Sequence, residues 1–248
     1  MGKRISFIAL FSLGIIMLFS ACVDARGNTP AVQGIGEMVS RSFQVEDFTE
    51  LDIGGFFTVV FNQSDEIAVY VEMQENLFDY HDVSVRRGTL LIRPTRNNRV
   101  GIEFGDYRPR VYIHAPYLTS INFSGSVRTE NWDTIQTQAL SVVTSGFVGF
   151  SAPLEVSNLS IDTSGSSTIE LWGNATDVNI TASGLVNIMA SDLQTTDVAI
   201  DGSGSTRAEL SASSSIDATL SGFANIRYIG NPTITQNISG SGSIRRME

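Results

Sequence analysis

Among its 248 residues the chain has one cysteine, one lysine and two histidines. With Cys22 alone, no internal disulfide can form and zinc cannot be held by several thiolates. His81 and His114 stand far apart in the sequence, with no Ser-His-Asp order and no metal-ligand cluster around either, so triad hydrolysis and metal-assisted hydrolysis have no motif to rest on. No cofactor motif is present. Helical periodicity is nearly absent as well: the one helix-like phrase is Gln74 to Tyr80, two turns at most, and no alternation of strands with helices occurs. After the N-terminus there is no second apolar stretch of the ~20 residues that a spanning helix needs.

The N-terminal segment up to Cys22 stands apart. Lys3 and Arg4 precede an almost wholly apolar run from Ile5 to Phe19, and Phe19-Ser20-Ala21-Cys22 ends it, which reads as a bacterial secretion signal over residues 1–21. The segment resembles a lipoprotein signal, in which Cys22 carries the lipid and becomes the mature N-terminus. The alternatives are an ordinary secretory signal and an uncleaved anchor. Residues 22–37 have no periodic apolar pattern and read as a tether, leaving 38–248 as a single domain. The expected location is the bacterial cell envelope, lipid-anchored, at the outer membrane or cell surface rather than the inner membrane.

The net charge is −10 over the whole chain. Removing residues 1–21 takes Lys3 and Arg4 away and leaves 14 arginines against 26 acids. A nucleic-acid partner is excluded by that balance. Seven arginines, Arg86, Arg87, Arg93, Arg96, Arg99, Arg108 and Arg110, crowd into one short part of the chain. They read either as a solvated face paired with nearby acids or as an anion- or glycan-binding patch.

Strand signals fill the rest. Leu51 and Ile53 alternate with Glu50 and Asp52; Gly54-Gly55 is expected to turn the chain into a second run, Phe57 to Phe61. Ile67 to Met73 alternates cleanly, Val83 to Ile92 reads as strand, tight turn, strand, and Val111 to His114 ends at Ala115-Pro116. The expected fold is all-β.

A Ser-Gly pair then recurs at short, nearly even steps, with its glycine at Gly125, Gly146, Gly165, Gly184, Gly204, Gly222 and Gly240. Each repeat reads as strand, tight corner, strand, looser corner, the pattern of a β-solenoid or β-helix of stacked levels. Glycine suits the tight corner because a positive φ costs it little, and serine can bond a neighbouring backbone group. The residue after each glycine alternates: Ser126, Phe147, Ser166, Leu185, Ser205, Phe223, Ser241. Two arrangements fit. The favoured one places two repeats in one wide coil, giving like-on-like columns; the other has one repeat per coil, with large and small residues alternating up a single column.

The phrase Phe48-x-x-Leu51-x-Ile53 followed by Gly55-Phe56, the Gly88-Thr89-Leu90-x-Ile92 pair, the Pro116-x-Leu118-x-x-Ile121 lead-in and the Ser-Gly-Ser corners ending at Ile244 resemble the GIN domain, the head domain of auto-transporter adhesins. The match covers about residues 45 to 246. The resemblance implies a β-solenoid, an envelope association and an adhesive role, and it brings no catalytic residues.

The expected function is therefore non-catalytic binding, adhesin-like, of a cell-surface glycan or polymer. Exposed aromatics such as Trp132, Trp172 or Tyr228 are candidate contacts. The alternative is a structural or regulatory envelope lipoprotein with a protein partner. A polysaccharide-active enzyme would need acids on adjacent levels. Asp162 and Asp201 each lie two residues before a Ser-Gly pair, with Arg207 close in sequence, but the equivalent positions hold Asn122, Val143, Thr181, Thr219 and Asn237, so no acidic ladder forms.

Overall fold

A computed structural model describes residues 31–95 and 101–247; Cys22, the secretion signal, Arg96 and Arg99 lie outside the described residues. Strands dominate, and among the described residues the one helical element is a 3-10 helix, Glu75–Tyr80, where the sequence suggested a short helical connector. A small two-stranded sheet pairs Val32–Gln33 with Ile102–Glu103, so part of the span read as a tether is strand-paired. A 13-stranded sheet contains the rest, and it does not close into a barrel.

The strand assignment runs unbroken from Ile135 to Gly202, 68 residues. Laid straight, that length would span roughly 220 Å at about 3.3 Å per residue, so the chain must fold back on itself repeatedly. The register shows how. Ser141 pairs in parallel with Ser120, Leu185 with Ser205, Asp197 with Ser215, and Ser215 with Thr233. Each of these partners lies one Ser-Gly period away, so each repeat pairs with the next one.

This overturns the favoured two-repeat arrangement. Phe147 pairs with Ser126 and Leu185 with Ser205, so large and small residues alternate up one column and no like-on-like ladder forms. The alternation was compatible with both arrangements, and only the pairing distinguishes them.

Gly54-Gly55 also departs from expectation. The strand Glu50–Gln63 passes through the pair without ending, and Gly55 pairs with Gly125 in parallel register. It is the first member of the glycine column, separated from the second by a long excursion of the chain. That intervening chain forms the covering layer at this end. His81–Arg86 and Thr89–Pro94 make an antiparallel hairpin around Arg87-Gly88, both with positive φ, and Thr89–Pro94 pairs in parallel with Glu50–Ile53. Arg110–Ala115 pairs in parallel with Thr58–Gln63 and antiparallel with Ala68–Gln74, which pairs in turn with Met38–Phe43. Those strands cover backbone groups that an open edge of the stack would present.

Alternation puts one face of every segment inside. Ile121, Val142, Ile161, Ile180, Ile200 and Ala218 are all buried and follow the same repeat position. The covered end holds the bulkiest packing, where Trp132 meets Phe61, Phe123 and Phe150 at ring-centroid distances of 5.3, 6.2 and 5.5 Å. Further along the core is mainly Leu, Ile, Val and Ala, with buried threonines among them. There Thr144 and Thr163, both buried, satisfy each other through hydroxyls 2.7 Å apart.

Candidate functional site: a ladder of apolar residues and serines

The glycine column sets the geometry of the site. Gly125, Gly165 and Gly222 have φ of +86°, +86° and +76°, and a Cβ on any of them would meet the carbonyl oxygen of the preceding glycine of the column at 2.6 Å. Both the positive φ and the backbone contact select glycine. With the backbones this close, the next residue of each repeat is forced into a single column. Ser126 stands beside Phe56 and Phe147, and Leu185 beside Ser205. Phe223 and Ser241 follow through the bonds of their amides to Gly204 O, 2.7 Å, and Gly222 O, 2.8 Å.

The column points outward. Phe147, Leu185 and Phe223 are 72%, 64% and 68% exposed. Adjacent levels of a sheet lie about 4.8 Å apart, so these side chains recur about every 9.6 Å with a serine between them. Phe56, the member at the covered end, is different: Phe104 stacks on it at 5.5 Å and the Arg108 guanidinium lies 4.0 Å above the ring. Arg108 also donates to Phe57 O and Ser126 O, which ties the covering layer to the column. Burial and the neighbouring Arg128 charge lower the Arg108 pKa, in that order. Between Leu185 and Phe223 lies a notch of about 350 Å³ over Ser205, bordered by Asn187, Arg207 and Asn225. Scattered exposed apolar residues are ordinary; a regular row of them is not.

The other sequence-derived candidates scatter. The side chains of Asp162 and Asp201 are exposed, make no hydrogen bond or ion pair within the described residues, and lie on levels separated by that of Thr181. Asp201 pairs in register with Thr219 rather than with an acid. Arg207 borders the ladder notch instead of facing either acid from the same position of the repeat. His81 is buried, with Nδ1 2.9 Å from Leu77 O and its ring edge-on to Phe57. Burial lowers its pKa, against a smaller opposing effect of the bond to Leu77. His114 sits on the strand Arg110–Ala115, edge-on to Tyr70. Among the described residues no group of three or more His, Cys, Asp or Glu is placed to hold a metal.

Of the three aromatics proposed as contacts, Trp132 is a correction. It is 8% exposed and donates Nε1–H to Val59 O at 2.8 Å. The segment holding it is pulled inward by Glu130 N bonding the same carbonyl and by Asp133 accepting from the Gln63 amide. Tyr228 is half-buried against the core and Trp172 is 39% exposed. Among the described residues of the arginine cluster, Arg86 pairs with Asp82, Arg93 with Asp52 and Arg110 with Glu130. The ladder itself was present in the alternation of residues after each glycine. Its exposure was not readable, because the same pattern suits an inward-facing column.

Residues 47–232 match the sequence profile of the family described as "Putative auto-transporter adhesin, head GIN domain". Among solved structures, a "putative adhesin" from Bacteroides fragilis is similar with a TM-score of 0.81 at 24% identity, over 88% of this chain and 100% of that one. A "putative lipid binding protein" from Parabacteroides distasonis gives a TM-score of 0.72 at 23% identity, again over 88% and 100%. A "putative adhesin" from Parabacteroides merdae gives 0.63 at 20% identity, over 88% and 99%. No curated protein sequence matches the chain. At these identities the structural likenesses speak to the fold.

Proposed function

Because this chain belongs to the auto-transporter adhesin head GIN domain family, we propose that it is a non-catalytic binding protein of the cell envelope that recognises an extended surface glycan through the ladder of Phe147, Leu185 and Phe223. The parallel pairing of each repeat with the next supports reading the stack as a β-solenoid with one repeat per coil. The apolar N-terminal run ending at Cys22 supports a lipid anchor there and a tethered domain beyond it.

The observation that carries the proposal is the exposed alternation of apolar side chains and serines. Leaving three such side chains in water forgoes about 1.5–3 kcal/mol each relative to burial, which a ligand can recover. The shape favours a polymer over a folded protein. Seven levels, from Ser126 to Ser241, give a row about 29 Å long, and a row one residue wide falls well short of the roughly 800 Å² per partner of a stable protein interface. A thin extended chain fits it, with ring faces on the apolar tips and hydroxyls beside the serines. The absence of an acidic ladder, the exposure of Asp162 and Asp201 and the names of the structural relatives favour binding without chemistry.

The test is co-sedimentation of the full-length chain with insoluble cellulose, chitin and peptidoglycan sacculi. The native chain is expected to pellet with at least one of them, and a Phe147→Ser, Leu185→Ser, Phe223→Ser variant to stay in the supernatant. Equal pelleting of the two chains, or none by either, rejects the ladder as the binding surface.

A further inference from the structure

Half a repeat on from the ladder, a groove of about 770 Å³ runs across several successive repeats. Its origin is a mismatch in length. Ala190 pairs with Leu210 and Asp197 with Ser215, so six residues, 191–196, face only the four of 211–214. At the next step Ser211 pairs with Ile229 and Ser215 with Thr233, three residues facing three. The two surplus residues make a bulge, as an extra residue in one strand does, with Asp192 and Gln194 exposed and Leu193 and Thr195 buried. The shorter segments that follow leave the space beneath it open.

The bulge is held in place. Thr195 is nearly buried and its Oγ1 donates to Ser211 O, while the amides of Ser213 and Ser214 bond Thr195 O and Thr196 O at 3.0 and 2.9 Å. The Ala212 amide bonds Ile229 O at 3.1 Å. These backbone groups are spoken for, so none of them is left to capture a peptide by added pairing.

Three lining side chains, by contrast, are unengaged, whereas Asn174 donates to Glu155 and Ser213 to Thr195 O. Gln194, Thr196 and Asn231 line the groove and make no side-chain hydrogen bond within the described residues. Amides and hydroxyls offer donors and acceptors together, which is what vicinal hydroxyls require. The exposed apolar side chain of the lining is Ile229, 44% exposed, while Val156 and Ala212 are buried beneath the surface. Asp192 is the single charged residue of the lining, and no cation balances it, which disfavours anionic ligands. The volume falls within the range of about 300–1,000 Å³ typical of ligand pockets.

We infer that this groove is a second binding site, for a short stretch of neutral oligosaccharide, with a pyranose face on Ile229 and hydroxyls bonded to Gln194, Thr196 and Asn231. It shares the ligand class of the ladder but not its surface, and it stands or falls separately.

Calorimetric titration of the full-length chain in detergent micelles with cellohexaose, chitohexaose and mannohexaose separates the two. Saturable binding of at least one hexasaccharide is expected. A Gln194→Ala, Asn231→Ala variant is expected to bind about tenfold more weakly or worse, the equivalent of about 1.4 kcal/mol. The Phe147→Ser, Leu185→Ser, Phe223→Ser variant is expected to bind like the native chain. Superimposable melting curves check that every variant is folded, as expected for exposed side chains. Absence of saturable heat with all three sugars overturns the inference, as does a double variant that binds as tightly as the native chain. Binding of an alternating serine-glycine octapeptide, with no hexasaccharide bound, reassigns the groove to peptides and also overturns it. Loss of polymer co-sedimentation in the ladder variant with titration unchanged leaves both surfaces assigned, whereas an ineffective ladder variant rejects that surface alone.

Discussion

Gly125 lies directly against Gly55, far earlier in the chain, so closely that a Cβ on Gly125 would stand 2.6 Å from the Gly55 carbonyl oxygen. The same contact recurs through the column to Gly240, whose Cβ would meet Gly222 O at 2.7 Å. The corner glycines are therefore constrained twice, by conformation and by the neighbouring backbone.

Gly165→Ala tests both constraints at once. It adds a methyl 2.6 Å from Gly146 O at a φ of +86°, so a loss of more than about 2 kcal/mol is expected. Gly36 also has a positive φ, +87°, but its Cβ would meet nothing within 4 Å. Gly36→Ala should cost only the conformational part, about 1 kcal/mol. Chemical denaturation of the two variants checks the difference; equal losses would remove the contact from the account.

Trp132→Ala should be among the most damaging single changes at the covered end. The ring fills the space between Phe61, Phe123 and Phe150, and its loss also frees Val59 O of one of its two donors. Large-to-small changes of buried aromatics cost about 3–5 kcal/mol. Trp172→Ala, at an exposed position, should stay within about 0.5 kcal/mol. Thermal melting distinguishes them, and a small effect at Trp132 would contradict its place in the core.

How much of this was legible in the residues depends on what each feature rests on. The Ser-Gly period and the Arg87-Gly88 hairpin are local turn chemistry and were readable directly. Gly54-Gly55 was not readable as the first corner, because glycine replaces the serine and the whole covering layer intervenes before the next. Trp132 looked like a surface aromatic because it follows Asn131, at a φ of +54°, in a polar stretch whose inward pull depends on distant Val59 and Gln63. The groove was encoded in the glycine spacing, which is wider from Gly184 to Gly204 than from Gly204 to Gly222. A small shift in period becomes a surface feature only once the repeats are known to stack one upon the next.

Cys22→Ala addresses the anchor. Protease added to intact cells is expected to digest the native chain without lysis, and the Cys22→Ala chain should leave the membrane fraction. Protection until the envelope is opened would favour a periplasmic protein partner, and an unchanged fractionation of Cys22→Ala would remove the lipid.

His81 should make stability depend on pH in one particular window. Its ring is 9% exposed, and Nε2 is buried with no partner among the described residues. Burial lowers the folded pKa below the ordinary value of 6.5, more than the bond to Leu77 O raises it. The unfolded chain therefore binds a proton at a pH where the folded chain does not, and stability falls as pH drops below about 6.5. Asp197 acts at lower pH: its pKa is lowered, chiefly by the Ser215 and Ser214 hydroxyls, so its contribution is present above the ordinary carboxylate value and lost below it. A decline between pH 7 and 5 is thus expected from His81. Melting temperature measured across that interval should fall for the native chain and stay flat for His81→Phe, which keeps the ring packing against Phe57 without the titrating nitrogens. Parallel declines in the two chains would place the sensitivity elsewhere.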